Sequence, residues 1–300
     1  MNVPSSITVR APAKINLYLG VGARRADGFH PLATVYQAVG LYDDVTVTDA
    51  EEWSVELTEP IDGVPLDETN IAVRAGRALT AHHGIDRRAR IVIHKGIPVA
   101  GGMAGGSADA AATLVALDRL WDLQTTDEDL LALAADLGSD VPFALVGGTA
   151  EGTGRGEVVT PLTDHGHWWW VVVPNPVGLS TPKVYAEFDR LTPEAPPPRV
   201  PEHLYAALRT GVADDLAIAL RNDLEDPALE LRPDLEDTLQ DGYRAGATMA
   251  LMSGSGPTAL FLCVSADDAR EVAAALRGLG HPEARVAAAP VAGAHVVSYA

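Results

Sequence analysis

The sequence contains little cysteine and no long apolar run. The single cysteine, Cys263, excludes an internal disulfide and stands in the apolar segment TALFLCV, which is typical of a buried thiol. No stretch reaches the roughly 18 apolar residues of a membrane span. The first twenty residues, MNVPSSITVRAPAKINLYLG, also lack the apolar core of a signal peptide. We therefore expect a soluble cytoplasmic protein with no membrane partner.

Basic residues are scarce as well. Lys and Arg total 22 against 41 Asp and Glu, which gives a net charge of -19. Such a charge repels a phosphate backbone, so we expect no nucleic-acid partner. An anionic ligand would need local donors, such as the N–H groups at the start of a helix. The length of 300 residues and a hydrophobic content of 47% indicate a globular protein of about two domains.

Apolar periodicity predicts the elements of the first half. Residues 7–19 alternate as a strand that places Lys14 and Asn16 on one face, with a bulge or sheet edge at Pro12. Residues 44–57 resemble a hairpin, 70–84 a helix that ends at a glycine, and 89–95 a strand. A helix follows, with Ser107 as its cap and Asp109 in its first turn.

The remaining elements are predicted from the same patterns. We expect a helix from a capping box at 126–129 to a stop at Gly138, a strand-like run after it, and a buried strand at 168–174. The proline cluster at 192–201 excludes regular structure. A second α/β unit is then predicted from helices near 214–225, 234–245 and 266–278, and from strands near 258–264, 285 and 295.

Three glycine-rich stretches call for a chemical explanation. In GGMAGGS, at 101–107, the glycines precede a helix, as in a phosphate-binding loop, although a tightly packed turn is the alternative. The stretch fits neither a Walker A loop nor a dinucleotide fingerprint. The stretch at 147–157 fits a hairpin loop or a site equally well. The stretch at 252–258 fits an anion-binding turn or the entry to a strand.

Taken in order, these motifs resemble a known family. The segments APAKINLYLGVGARRADGFHPLATVYQ, PVAGGMAGGSADAAA, LGSDVPFALVGGTAEGTGRGE and MSGSGPT are similar to the kinases of the galactokinase, homoserine kinase, mevalonate kinase and phosphomevalonate kinase superfamily. Within it, PAKINLYL, RRADGFH and GSDVPF are most similar to the branch that acts in non-mevalonate isoprenoid synthesis on a small alcohol carrying a cytidine diphosphate group.

The resemblance implies ATP as cosubstrate and Lys14 with Asp140 as the catalytic pair. Mg²⁺ is expected on the ATP phosphates, with no protein metal ligand. The ATP site is implied at Asn70, Pro98, Gly101, Gly102, Met103, Ala104, Gly105, Gly106, Ser107 and Ala108. Family members often have glycine or serine at positions 103, 104 and 108, so one hydroxyl contact is missing here.

The same resemblance implies a substrate site. His30 matches the residue that pairs with the cytosine edge, and Phe29 and Tyr185 match the aromatic residues that stack on the base. Asn16 and Thr181 match polar contacts to the substrate. This chain has Phe29 where tyrosine is common in the family, and Tyr185 where phenylalanine occurs. Arg24 and Arg25 fit contacts to the substrate diphosphate or a solvated basic pair equally well.

The implied architecture is a two-domain α/β kinase fold, with residues 1–163 as the ATP-binding domain, 164–300 as the substrate-side domain, and the active site between them. One alternative is a superfamily kinase that acts on homoserine or mevalonate. The segment RRADGFH and Tyr185 argue against it, because those substrates carry no base. The other alternative is a non-catalytic nucleotide-binding regulatory protein, against which the presence of both Lys14 and Asp140 argues. The oligomeric state stays open, with a homodimer as one option.

Overall fold

The computed structural model describes residues 5–99 and 101–300, and two β-sheets flanked by helices form its framework. Ala100, inside the predicted phosphate-binding stretch, lies outside the described residues. The strands are β1 (Ser6–Val21), β2 (Leu32–Ala50), β3 (Ser54–Leu57), β4 (Arg88–Lys95), β5 (Thr149–Thr153), β6 (Val158–Pro161), β7 (Trp168–Val173), β8 (Arg221–Asn222), β9 (Met249–Met252), β10 (Ala259–Cys263), β11 (Arg285–Ala289) and β12 (His295–Tyr299).

The helices cover these sheets and supply the loops between them. They are α1 (Ile71–His83), α2 (Gly105–Trp121), α3 (Asp127–Leu137), α4 (Val141–Val146), α5 (Thr181–Leu191), α6 (Glu202–Thr210), α7 (Ala213–Ala219), α8 (Glu225–Leu231), α9 (Asp234–Arg244) and α10 (Ala266–Gly278). The α/β class expected from the sequence is confirmed.

The larger sheet is built around the long pair β1 and β2. Its order is β12-β1-β2-β4-β3, with β5, β6 and β8 attached beside this path. The register between β1 and β2 shifts after Pro12, where a bulge was predicted, and again between Asn16 and Tyr18. From Ala11 onward β1 is buried on both faces, so it runs through the centre of the molecule rather than along a solvated surface.

The predicted hairpin at 44–57 is wrong. Strand β2 continues to Ala50, and its edge over residues 43–50 is already paired with β4. Strand β3 therefore takes the far edge of β4 and runs parallel to it. Local alternation identified both strands but not the strand that lies between them, because that pairing depends on distant residues.

Two further element predictions are partly wrong. Within the strand-like run after Gly138, residues 141–146 form the helix α4, in which Pro142 occupies the first turn and Phe143 is buried, whereas residues 149–153 form the strand β5. A short apolar run fits a strand or a buried helix equally well. The helix expected at 214–225 is broken, because Leu220 takes an extended conformation and residues 221–222 pair with β1 as β8.

The smaller sheet has the order β11-β7-β10-β9, and it lies against the larger one in a shared core. This core includes Ile15 and Leu114 from the first half and Trp170 and Leu260 from the second. Strand β12 returns to pair with β1, so the chain crosses between the two sheets after β11. The domain boundary near residue 163 stays a prediction.

Candidate active site

Two cavities meet at the loop that joins β4 to α2. The larger, of about 640 Å³, lies between the amino end of α4, the start of α5 and the β9–β10 loop. The smaller, of about 440 Å³, lies between α1 and the start of α2. Gly102 and Ala104 line both. The two cavities therefore have part of this loop as a common wall.

Lys14 and Asp140 come together in the wall of the larger cavity. The Lys14 Nζ lies 3.8 Å from Asp140 Oδ2, and only 10% of the Lys14 side chain is exposed. The ammonium also donates to Asn16 Oδ1 at 2.8 Å, and the Asn16 amide donates in turn to Thr34 Oγ1. The Lys14 backbone N–H donates to the Met103 carbonyl. These bonds fix the ammonium between the carboxylate and the glycine loop.

Tyr36 completes this group, although no role was predicted for it from the sequence. Its ring lies beneath Lys14, with the centroid 5.6 Å from Nζ. Burial and the nearby Asp140 carboxylate raise the pKa of Tyr36 well above its usual value, so its hydroxyl stays protonated and donates toward Asp140. Gly156 makes room for it, because a Cβ there would lie 2.2 Å from the hydroxyl oxygen. No local pattern distinguishes this tyrosine from other strand residues.

An aromatic group forms the other end of the larger cavity. His30 is buried, and its Nε2 lies 2.7 Å from Asp189 Oδ1. The Tyr185 ring lies 4.9 Å from the His30 ring, centroid to centroid. Phe29 is 51% exposed at the rim, and the Arg155 guanidinium lies 5.1 Å from its ring centroid. The roles of Asp189 and Arg155 were missed, because both are distant in sequence from the motif that they complete.

The other predicted substrate residues also line this cavity. Thr181 opens α5, and its hydroxyl lies 2.8 Å from that of Ser255 in the β9–β10 loop. Arg24 lines the cavity and donates from Nε to the Gly28 carbonyl. Arg25 pairs with Asp27, and more than two fifths of both side chains are exposed. The structure thus places Arg24, but not Arg25, at the cavity wall.

The glycines of the β4–α2 loop differ in what approaches them. A Cβ on Gly102 would lie 2.4 Å from the Ser253 carbonyl oxygen, and one on Gly101 would lie 2.6 Å from Thr258 Oγ1. One on Gly105 would lie 3.2 Å from Lys95 Nζ. A Cβ on Gly106 would have more room, because its nearest neighbour would be Ile71, at 3.7 Å. The first three glycines therefore make room for the protein itself, including the 252–258 stretch, whereas a Cβ on Gly106 would make only an ordinary van der Waals contact.

The start of α2 differs from the prediction. The helix begins at Gly105 after Ala104, which takes a left-handed conformation with φ of 58°, and no side chain caps it. Ser107 lies inside the first turn and is not the cap, and Asp109 lies beyond that turn and is buried. Without a capping side chain, the N–H groups of this first turn are left for a ligand anion.

The predicted ATP residues do not all reach the smaller cavity. Those that line it are Asn70, Pro98, Gly101, Gly102, Ala104, Gly105 and Gly106. Met103 and Ala108 are fully buried, and Ser107 is not among the lining residues. Asn70 uses its side chain to cap α1, since its Oδ1 accepts from the Ala72 N–H at 2.8 Å.

Comparison with known proteins defines the class to which this fold and site belong. Residues 70–148 match the model of the N-terminal domain of the GHMP kinases, and residues 204–281 match that of their C-terminal domain. The chain therefore belongs to the GHMP kinases, which phosphorylate with ATP, and within them to the 4-diphosphocytidyl-2-C-methyl-D-erythritol kinase family. In the described part of the chain, no helix is both long and apolar enough for a membrane span.

The relatives cover the chain nearly end to end. A protein of Nocardioides sp. named 4-diphosphocytidyl-2-C-methyl-D-erythritol kinase is 63% identical over 97% of this chain and 100% of its own. A protein of Thermobifida fusca with the same name is 53% identical over 99% of this chain and 100% of its own. A crystal structure of 4-(cytidine 5'-diphospho)-2C-methyl-D-erythritol kinase is 34% identical, with a TM-score of 0.79 over 95% of this chain and 100% of that one. Mevalonate kinase of L. major, 19% identical with a TM-score of 0.77, shares the fold over 97% of this chain and 98% of its own.

Proposed function

We propose that the protein transfers the γ-phosphoryl group of ATP to the 2-hydroxyl of 4-diphosphocytidyl-2-C-methyl-D-erythritol. The observation that carries the proposal is the position of Lys14 and Asp140. They face each other at 3.8 Å in the larger cavity, whose wall shares Gly102 and Ala104 with the smaller one. A hydroxyl in the larger cavity and a triphosphate in the smaller one would meet there. The names of relatives at 63% and 53% identity supply the substrate.

In the proposed reaction, Asp140 accepts the proton of the attacking hydroxyl. The oxygen forms a bond to the γ-phosphorus as the bond from that phosphorus to the β,γ-bridging oxygen breaks, and ADP leaves. Lys14 pairs with the Asp140 carboxylate and balances charge on the transferred group. The first N–H groups of α2 hold the phosphates. This division suits phosphoryl transfer, in which positioning and charge stabilisation account for most of the catalysis.

Mg²⁺ fits this site only as a companion of ATP. Among the described residues, no three His, Cys, Asp or Glu side chains are grouped so that they could hold a metal ion. Mg²⁺ commonly keeps several waters and binds through phosphates and one or two carboxylates. We propose that it enters on the ATP phosphates, where it would neutralise part of their charge.

The aromatic end of the larger cavity would bind the cytidine. Asp189 accepts from the His30 Nε2–H and so orients the ring; in the neutral imidazole Nδ1 is then an acceptor, which would suit the amino group of cytosine. Tyr185 and Phe29 offer ring faces to the base. Arg155 and Arg24 line the same cavity and supply positive charge for the diphosphate. The proposed place of action is the cytoplasm.

The deciding experiment measures ADP release with the cytidine substrate beside homoserine and mevalonate. We expect turnover of the cytidine compound alone. Preference for homoserine or mevalonate would assign the site to another branch of the superfamily. ATP binding without turnover of any of the three would favour a regulatory protein.

A further inference from the structure

Three charged side chains are buried together beneath the glycine loop. Asp43 lies on β2, Lys95 is the last residue of β4, and Asp109 lies on α2. The Lys95 ammonium contacts Asp43 Oδ2 and lies 2.7 Å from Asp109 Oδ2. The exposed fractions of the three side chains are 3% for Lys95, 0% for Asp43 and 4% for Asp109. The family motifs quoted above assign these residues no role.

The cluster ties both ends of the loop to the sheet. At the entry, Asp43 Oδ1 accepts from the N–H groups of Gly96 and Ile97, at 2.8 and 2.9 Å. At the exit, the bond from Lys95 to Asp109 holds the helix that begins at Gly105. The cluster lies directly under this helix start, because a Cβ on Gly105 would be 3.2 Å from Lys95 Nζ and 3.5 Å from Asp43 Oδ2.

We propose that this cluster sets both the geometry and the charge of the ATP phosphate site, with Asp109 as a positioning residue whose carboxyl group carries a proton when ATP binds. The inference rests on the proposed function, since it takes ATP as the ligand of the smaller cavity. Lys95 and Asp109 both line that cavity.

Charge balance supports a proton on the Asp109 carboxyl group. Two carboxylates and one ammonium leave one uncompensated negative charge in a buried place, which is costly, and one proton removes it. Burial raises the pKa of Asp109 to about 8, although Lys95 opposes this. Burial opposes charge on Lys95 too, but the two carboxylates outweigh it and raise the pKa of the ammonium. In the described part of the chain, Asp109 Oδ1 has no hydrogen-bond partner.

In the described part of the chain, the other charged side chains on the surrounding elements bond to different groups. Asp44 bonds to Arg10, His94 to Thr58 and Asp118 to the Thr125 N–H. Arg285 donates to the Gly96 carbonyl at the loop entry, and its ion pair is with Glu283.

The proposal links ATP affinity to pH with a definite sign. When Asp109 loses its proton, the cluster gains a negative charge beneath the helix start that binds the phosphates. ATP binding then weakens as pH rises through about 8. The γ-phosphate of ATP is already ionised over this range, because the second pKa of a phosphate group is about 6.

The test measures the Kd of Mg-ATP by calorimetry from pH 7 to about 9.5 without the second substrate, so that ATP is not consumed. For the wild type we expect Kd to rise about five-fold or more, the lower end of usual coupling between sites. Asp109→Asn cannot ionise, so its Kd loses the rise between pH 7 and 9.5, whatever its value at pH 7. The Asp109→Leu variant binds Mg-ATP weakly at every pH. Asp118→Asn, a buried aspartate on the same helix, keeps the wild-type profile.

Three results would overturn the inference. A pH-independent Kd in the wild type, or an unchanged rise in Asp109→Asn, would exclude the proton on Asp109. A normal Kd in Asp109→Leu would reduce the cluster to packing. Absence of ATP binding by the wild type at any pH would instead remove the proposed function, and the inference with it.

Discussion

Replacement of Asp140 by Asn tests the catalytic pair most directly. The change is nearly isosteric, but it removes the proton acceptor and the charge that faces Lys14. At the observed Nζ–Oδ2 distance of 3.8 Å, an effective dielectric of about 20 makes the attraction about 4 kcal/mol. Because 31% of the Asp140 side chain is exposed, solvent screening reduces the part that is realised. Loss of a general base typically lowers the rate by about 10²- to 10⁴-fold, which corresponds to about 3 to 5 kcal/mol.

We therefore expect kcat to fall by about 10²- to 10⁴-fold in Asp140→Asn, with the Kd for ATP little changed. Coupled ADP-release assays at saturating cytidine substrate measure kcat, and calorimetry measures the Kd for ATP.

Lys14→Met should also lower kcat, and the double variant should lose less activity than the product of the two single losses, because the pair works as a unit. Asp136→Asn, at an exposed position on the neighbouring helix α3, serves as the matched control. Near-normal kcat in Asp140→Asn would refute the assignment of the base.

Three further changes test the two cavities. Gly106→Val should raise the KM for ATP and leave the Tm unchanged, because a Cβ there meets no protein atom nearer than Ile71 at 3.7 Å; unchanged ATP kinetics would contradict a phosphate site there. Phe29→Ala combined with Tyr185→Ala should weaken binding of the cytidine substrate by up to a few kcal/mol, because stacking contributes about 1–3 kcal/mol for each base. An equal loss of ATP binding would mean that the rings support the fold. Arg155→Gln should raise the KM for the cytidine substrate but not for ATP, and the effect should shrink at high salt; an effect independent of salt would argue against a charge contact.

Local patterns predicted those parts of the fold that local physics controls. The helix α1 was predicted with its glycine stop, and Gly84 indeed takes a left-handed conformation with φ of 63°. The capping box of α3 was also predicted, and Thr126 accepts from the Asp129 N–H. Strand β7 was identified from its continuous apolar run. These features depend on neighbours within about one turn or one strand, which the sequence displays directly.

Features that depend on distant partners were missed. The place of β3 beyond β4 and the break at Leu220 are both decided by pairing with strands far away in the chain. Ser107 fits the sequence pattern of a cap, but Ala104 starts the helix one turn earlier, in a backbone conformation that no residue type signals. The His30–Asp189 pair and the buried cluster around Lys95 join residues from separate elements, so no motif could contain them.

The pairing of β1 with β12 bears on how the chain is made. Residues 7–10 at the start of β1 pair with residues 295–299, and the N–H groups of Ser5 and Ser6 donate to the Ala300 carbonyl. During synthesis at about 5–20 residues per second, β1 leaves the ribosome roughly 15 to 60 s before β12 does. Throughout that interval the central sheet has an open edge, the kind of surface to which another nascent chain can add. The edge of β1 that β12 covers therefore stays open to other chains until β12 has been made.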